Sequence, residues 1–395
     1  MIGDVFVAGG VRTPFGSFGG SLSSLSAAEL GALAVRASLQ RAKVDGKHVD
    51  ELIFGNVIGA GLGQNVARQV TLGAGLGVNV GATTVNKVCG SAMRAVILAA
   101  QAIQCGDADL LVAGGCESMS NAPYLLKKAR SGYCMGHGEL VDAMIHDGLW
   151  DVYTQQHMGT CGDKCALEYH FSREEQDTYA IESYSRALKA WGEGFFKENV
   201  VPVEVKDRKG AVTRVERDED LDKYQGPQKL RALRPAFGPE SMVTAGNASG
   251  INDGAAAMVV FSERKRKELG VKPAARILGH ANAALESDWF TIAPIHAIRK
   301  LCGKLGIAPG DADLYEINEA FAVVAQVAIR ELKLDPERVN IAGGAVAIGH
   351  PIGATGARII NTLVRGLELR KKKLGIACLC IGGGEATAVA LERCA

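Results

Sequence analysis

An excess of either charge is missing: 44 lysines and arginines stand against 43 aspartates and glutamates in 395 residues, a formal net charge of +1. A chain so balanced has no field that would gather nucleic acid, which is excluded as the main partner. Two local basic clusters, RKRK at 264–267 and RKKK at 370–373, read as solvated helix ends or turns. Also missing is an apolar stretch of membrane-spanning length uninterrupted by polar residues, so no membrane partner is expected. No signal or transit peptide is expected at the start of this sequence: MIGDVFVAGGVRTPFG carries Asp4 early and reads as a first strand entering a Gly/Pro turn. No segment reads GxGxxG, which disfavours a nucleotide dehydrogenase. Cysteine is plentiful, and ten cysteines without a secretion signal imply reduced thiols and a cytoplasmic setting.

What is present is a globular composition, 47% hydrophobic and 22% charged, on a chain long enough for two or three folding units. One stretch, VNKVCGSAMRAV, carries a chemical signal. GATTVNKV ahead of it is rich in β-branched residues, as a buried strand would be. AMRAVILAAQAI behind it is helix-forming and nearly all apolar. Cys89 is therefore expected at a strand-to-helix turn, with Gly90 and Ser91 opening the helix. Unpaired N–H groups and the positive end of the helix dipole gather there and lower a thiol's pKa. The plainer reading is a buried cysteine used as a small hydrophobe.

The two ends of the chain share a plan. A strand ends at Cys89, a helix follows, and DLLVAGGCE returns as a strand; later, RVNIAGGAVAIGHPIG precedes the helix GARIINTLVRGLELR, and LGIACLCIGGGEATAVAL closes the unit. Each block carries a reactive-type residue near a helix N-terminus, Cys89 in one and His350 in the other. The alternation favours parallel strands with crossover helices and an internal duplication of α/β halves. Three regions follow: residues 1–118 as a first half, 119–249 as an inserted, partly helical loop domain, and 250–395 as a second half. Within the insert, Ser172 and Glu175 form a capping box, and VVPVEVKD with AVTRVERDED reads as a hairpin.

Four segments occur together: KVCGS, NEAFA, GHPIG and CIGGG. They place Cys89, Asn318, His350 and Cys380 at the ends of presumed parallel strands, where α/β ligand sites occur. The three glycines after Cys380 can form an anion-binding nest. With VRTPFGSFGG, GGCESMSNAPY, TAGNASGINDGAAA and GHPIGATGAR, these segments make the chain resemble, essentially from end to end, the thiolase family, specifically its biosynthetic acetyl-CoA acetyltransferases.

The resemblance implies an α/β thiolase fold: two duplicated halves in a five-layer α/β/α/β/α arrangement, with a loop domain extending from the first. It implies that Cys89 accepts the acyl group, that His350 activates it, and that Cys380 takes the α-proton of a second thioester. Asn318 would hold a water in one oxyanion hole, where His350 also donates, and the N–H groups of Cys89 and Gly382 would form another. The pantetheine contacts would be His157, Met158, Phe237, Ala245, Ser249, Ala320 and Phe321, with Leu149 in the pocket wall; for Met158, Phe237 and Phe321 plain core packing is the other reading. The implied reaction is the reversible Claisen condensation of two acetyl-CoA into acetoacetyl-CoA and CoA through an acetyl-cysteine intermediate. No metal or redox cofactor is expected, and coenzyme A thioesters are the substrates. A homotetramer is implied, with residues near 120–140 as its assembly loop.

His157, Cys161 and Cys165 share one face of a possible helix, but three ligands fall short of a structural zinc set, and His170 is less well placed. Three departures from the family pattern stand out: Ala92 where many relatives have glycine, Ala342 in NIAGGA where an asparagine or histidine is common, and, before LRPAF, no arginine matching the family's adenine-side contact, Asp222 and Lys223 occupying that neighbourhood. The alternatives are a degradative 3-ketoacyl-CoA thiolase of broader chain length, a β-ketoacyl synthase (which normally uses two histidines), and a non-catalytic acyl-CoA-binding member of the fold.

Overall fold

The computed structural model describes residues 3–207 and 209–394; the expected outer limits of the two halves, residues 1 and 395, lie outside them. The first half runs β1 (Val5–Arg12), α1 (Ala27–Ala42), β2 (Glu51–Gly55), α2 (Val66–Gly73), β3 (Gly81–Val85), α3 (Ser91–Cys105) and β4 (Leu110–Ser118). The insert contributes α4 (Met158–Glu168) and α5 (Arg173–Gly192), and β5 (Asn252–Ser262) follows it. The second half is β6 (Ala275–Ala284), α6 (Ala293–Leu305), β7 (Leu314–Ile317), α7 (Ala322–Leu332), α8 (Thr355–Leu369), β8 (Leu374–Ile381) and β9 (Glu385–Arg393).

These nine strands lie in the order β7-β8-β9-β6-β1-β5-β4-β2-β3, and the two-residue strand Gly16–Ser17 pairs with β5 as the tenth. Apart from β3, which has no counterpart strand, the order is symmetric about the β1–β6 contact, where Phe6 and Val7 pair with Arg276 and Ala275. That symmetry is the duplication expected from the sequence. Two corrections accompany it. The sheet is mixed: β2 runs parallel to β3 and β4, and β7 to β8, while the remaining pairs are antiparallel. In addition, β5 pairs with both β1 and β4, so the first half is completed after the insert and the expected boundary at 250 falls one strand early.

Alternation along the strands assigns the layers. Val5 and Val7 face an inner cluster shared by Met93, Val96 and Ile97 of α3 with Ile359, Ile360 and Leu363 of α8. Phe6 and Ala8, one residue out of step, face α1 and α2. In the second half Ala377, Leu379 and Ile381 point inward, whereas Ile376, Cys378 and Cys380 face α6 and α7. The result is five layers with α3 and α8 in the middle. Residues 88–105, apolar and long enough by composition to cross a membrane, are α3 and its entry turn within that middle layer.

The local expectations are met in the insert. Ser172 and Glu175 form the capping box of α5, and 203–206 pairs antiparallel with 212–215. Two others are not. β3 is the edge strand and is only partly buried; its β-branched residues reflect strand propensity without full burial. RVNIAGG forms no strand, only a single bridge from Val339 to Tyr315 where the counterpart of β3 would lie.

The middle layer is close because of glycine. A Cβ at Gly356 in α8 would fall 2.3 Å from the backbone nitrogen of Met93 in α3, a distance that no packing adjustment of side chains relieves. Gly356→Ala is expected to lower the free energy of unfolding by about 3 kcal/mol, read by urea titration followed through tryptophan fluorescence. An unchanged midpoint would show that the crossing yields.

Candidate active site

Cys89 occupies the turn expected for it, between β3 and α3. Val88 before it has φ +46°, a left-handed conformation for a β-branched residue, which costs of order 1–3 kcal/mol. The turn is secured by the Val88 N–H donating to Asn86 Oδ1 (2.9 Å), the Lys87 N–H to Ser91 Oγ (2.9 Å), and Ser91 Oγ to the Val88 carbonyl (2.6 Å). An ion pair between Lys87 and Glu385 ties it to the start of β9.

The backbone N–H groups of Gly382 and of Cys89 itself both favour a thiolate at the Cys89 sulfur. Burial outweighs them and pushes the thiol up to about 11. The expectation of a depressed thiol pKa is therefore overturned for the resting site: desolvation exceeds the pull of the helix terminus and the donors. Nucleophilicity must come from a base.

The candidate for that base is His350. It lies in the loop before α8, buried, with its backbone N–H donating to Asn252 Oδ1 (2.8 Å). The Thr355 hydroxyl donates to the Pro351 carbonyl (2.9 Å), so at 2.7 Å from His350 Nδ1 its oxygen accepts. This network assigns the proton to Nδ1 and leaves Nε2 with a lone pair; Nε2 is buried and has no protein partner. Burial, and after it the charge of Arg358, pushes the imidazole down to about 3. It is neutral at rest.

Asn318 follows β7, 1% exposed, with its backbone N–H on the Cys378 carbonyl (2.9 Å) and its Oδ1 accepting from Arg358 (3.1 Å). Its Nδ2, like His350 Nε2, is a buried group without a protein partner. Cys380 ends β8, fully buried. Burial raises its pKa, and Cys89 and Cys378 are close enough to raise it further. Gly382 lies one residue beyond the strand, where a Cβ would meet Met158 Sδ at 3.5 Å and Val88 at 3.6 Å. The strand ends thus bring Cys380 and Gly382 to the Cys89 turn.

Around this centre, Leu149 packs with Cys89 against Val57, Ile58 and Ile352. His157 stacks on Phe237, ring centroids 4.6 Å apart, and its Nδ1 accepts from the Gly159 N–H, capping α4. Met158 and Phe321 are buried in the cluster that holds Cys380. Ser249 donates its N–H to the Ala320 carbonyl (3.0 Å), and Ala248 bridges to Phe321. Ala245 is further out, lining a cavity of about 380 Å³ with Tyr184, Lys223, Tyr224 and Leu230. Asp222 and Lys223, in the neighbourhood that lacks the arginine, are engaged with Arg217 and Glu219. Cys161 and Cys165 are buried along α4, and among the described residues no three His, Cys, Asp or Glu side chains gather as metal ligands.

The departures are absorbed by packing. The Ala92 methyl occupies the space that Gly115 leaves open. Ala342 joins Ala180, Ala187 and Phe196 in an apolar cluster, while Asn340 supplies the hydrogen bonds at that loop, to Glu319 (2.9 Å) and to both backbone groups of Ile317 (2.8 Å each).

Reading the sequence missed the supporting groups. Glu117, at the end of β4, accepts from Asn56 Nδ2 (2.9 Å) and from the N–H groups of Val57, Ile58 (3.1 Å each) and Gly353 (2.9 Å), joining the first half to the His350 loop. Burial pushes its carboxyl up to about 7 against those bonds. Asn252, Thr355 and Arg358 act on His350 and Asn318 as described. The segments GGCESMS, GINDG and GATGAR contained these residues, but nothing local marked them.

A duplicated α/β scaffold that sets two thiols close together and buries an imidazole Nε2 and a carboxamide Nδ2 without protein partners points to a class of thiol-dependent enzymes. Comparison with known proteins makes it specific. Residues 5–264 match the family model "Thiolase, N-terminal domain" and residues 271–393 match "Thiolase, C-terminal domain". The chain is 51% identical to Acetyl-CoA acetyltransferase 2 of Arabidopsis thaliana over 391 residues, covering 98% of this chain and 97% of that protein. It is 47% identical to the Acetyl-CoA acetyltransferase of Cupriavidus necator, covering 99% of each. Among solved structures, the Acat5 thiolase from Ascaris suum in complex with coenzyme A is 44% identical with a TM-score of 0.93, covering 99% of this chain and 100% of that one. The Bacillus anthracis acetyl-CoA acetyltransferase is 40% identical with a TM-score of 0.97, covering 100% and 99%. The chain belongs to the thiolase family.

The His350 environment has a consequence in acid. With a folded pKa near 3 and an ordinary value of 6.5, the neutral imidazole contributes stability that is complete above pH 6.5 and is lost as pH falls toward 3. Between pH 6 and 4 the unfolding free energy of the wild type should fall, per pH unit, about 1.4 kcal/mol faster than that of His350→Asn. Urea titrations at each pH measure both slopes; equal slopes would place a proton on the folded imidazole.

Proposed function

We propose that the chain is an acetyl-CoA C-acetyltransferase, condensing two acetyl-CoA to acetoacetyl-CoA and CoA and catalysing the reverse thiolysis. The observation that carries the roles is the closeness of the half-buried Cys89 thiol to a second buried thiol, Cys380, in a fold that also buries a tautomer-fixed imidazole, His350, whose Nε2 has no protein partner. The full-length relatives named acetyl-CoA acetyltransferases favour this activity over a degradative thiolase of broader chain length.

In the first half-reaction His350 Nε2 takes the Cys89 proton as the sulfur attacks the acetyl carbonyl carbon. The carbon–sulfur bond to CoA then breaks, and the CoA thiolate leaves with the Cys380 proton, so that His350 is left as an imidazolium and Cys380 as a thiolate. The N–H groups of Cys89 and Gly382 receive the developing oxyanion. In the second, the Cys380 thiolate takes an α-proton from another acetyl-CoA, and the resulting carbanion attacks the acetyl group on Cys89, whose thiolate departs and takes back the proton held by His350. Asn318, through a bound water, and the imidazolium form of His350 stabilise the enolate oxygen. His157, Met158, Phe237, Ala245, Ser249, Ala320 and Phe321 line the pantetheine path, with Leu149 in the wall. Thiols and an imidazole suffice for both proton transfers, and no metal or redox cofactor is assigned.

The same proposal places the enzyme in the cytoplasm as a homotetramer. Supporting assembly, the segment between the paired 124–125 and 141–142 exposes apolar side chains to water, among them Tyr124, Leu126, Leu140 and Met135, which is 95% exposed. Deleting residues 128–137 is expected to leave folded dimers by light scattering; a folded deletion variant of unchanged mass would remove that role.

Cys89→Ser should keep its fold and lose acyl transfer by several decades, each about 1.4 kcal/mol of barrier. Cys380→Ser should still acquire an acetyl group on Cys89 but release no acetoacetyl-CoA. Mass spectrometry after incubation with acetyl-CoA reads both, and condensation by Cys89→Ser at the wild-type rate would overturn the assignment.

A further inference from the structure

We infer that Arg358 is a positioning residue for Asn318: its guanidinium fixes the carboxamide so that Nδ2, and not Oδ1, faces the substrate. The inference deepens the proposed activity and rests on it for its catalytic consequence. Arg358 lies in the first turn of α8, buried at 1% exposure, and donates Nη2 to Asn318 Oδ1 at 3.1 Å. A guanidinium has donors only, so the one end of a carboxamide it can hold is the oxygen. The Asn318 main chain is already tied to Cys378. Rotation of the amide is the freedom that remains, and a flipped amide would present an acceptor where an oxyanion must be stabilised.

Arg358 is a poor structural staple. Its approach to Glu316, 3.7 Å, is too long for a hydrogen bond, and both its Nε and Glu316 Oε2 are buried without a partner. Its side-chain hydrogen bond goes to Asn318. The charges acting on it are Glu316 from β7, Glu319 from the following loop, Arg12 from β1 and Asp218 from the insert. Its own charge acts on His350, opposing protonation there.

The test combines kinetics with a structure. Arg358→Met is expected to lower kcat for acetoacetyl-CoA thiolysis by about tenfold or more with KM little changed, and Arg358→Lys, which keeps the charge and a donor, to recover part of the loss. In an Asn318→Ala background the same Arg358 substitutions should cost less than about twofold. The acid limb of the pH–rate profile should move to higher pH in Arg358→Met and stay in Arg358→Lys. Equal losses in both backgrounds, or no loss in either, would overturn the inference; if Arg358→Met does not fold, Arg358→Lys carries the same comparison. An atomic-resolution crystal structure of Arg358→Met is independent of activity: a reoriented or doubly populated Asn318 amide is expected, and an unchanged one overturns the inference. A wild-type enzyme that forms no acetyl-enzyme would instead strike the proposed activity, leaving the amide orientation to that crystal structure.

Discussion

Everything at the site depends on how closely α3 and α8 can cross. Gly356 against the Met93 backbone brings the starts of both helices into one middle layer, and each start follows a reactive residue. A single added methyl at the crossing would separate Cys89 from the His350 loop before altering either residue. The glycines of this fold act here by their lack of volume. Glu117 then joins what the crossing has brought together, accepting from the 56–58 loop on one side and from Gly353 on the other.

The site so assembled is electrically quiet. Burial pushes Cys89 up to about 11 and His350 down to about 3, so both rest neutral. Donors that would favour charge are already oriented at the Cys89 sulfur, the N–H groups of Gly382 and of Cys89 itself. A preorganised, largely desolvated arrangement of this kind favours the transition state over the resting state. The strain at Val88 belongs to the same economy, an unfavourable local conformation tolerated because the surrounding hydrogen bonds over-determine it.

What was legible in the sequence was local. The strand-to-helix turn at Cys89, the capping box of α5, the 203–206 and 212–215 hairpin and the doubled order of elements follow from propensity, spacing and turn chemistry. What was hidden arises between distant residues. Glu117 bonds to Gly353 across 236 positions and Arg358 to Asn318 across 40, and no window of sequence contains both partners. The thiol pKa was misjudged for the same reason: donors at a helix terminus are a local feature, but desolvation is produced by the whole surrounding fold. The mixed sheet escaped a reading of alternating strands and helices because pairing direction depends on which strands meet, and β5 meets β1 and β4 only across the insert.

That last feature has a bearing on biosynthesis. β5 closes the first half by pairing along both β1 and β4, yet more than a hundred residues of insert separate it from β4. While the chain is emerging from the ribosome, β1 and β4 therefore wait with unsatisfied edges until residue 262 has been made. The nascent first half is not an independent folding unit, and the insert must be synthesised, and kept out of the gap, before the sheet it interrupts can close.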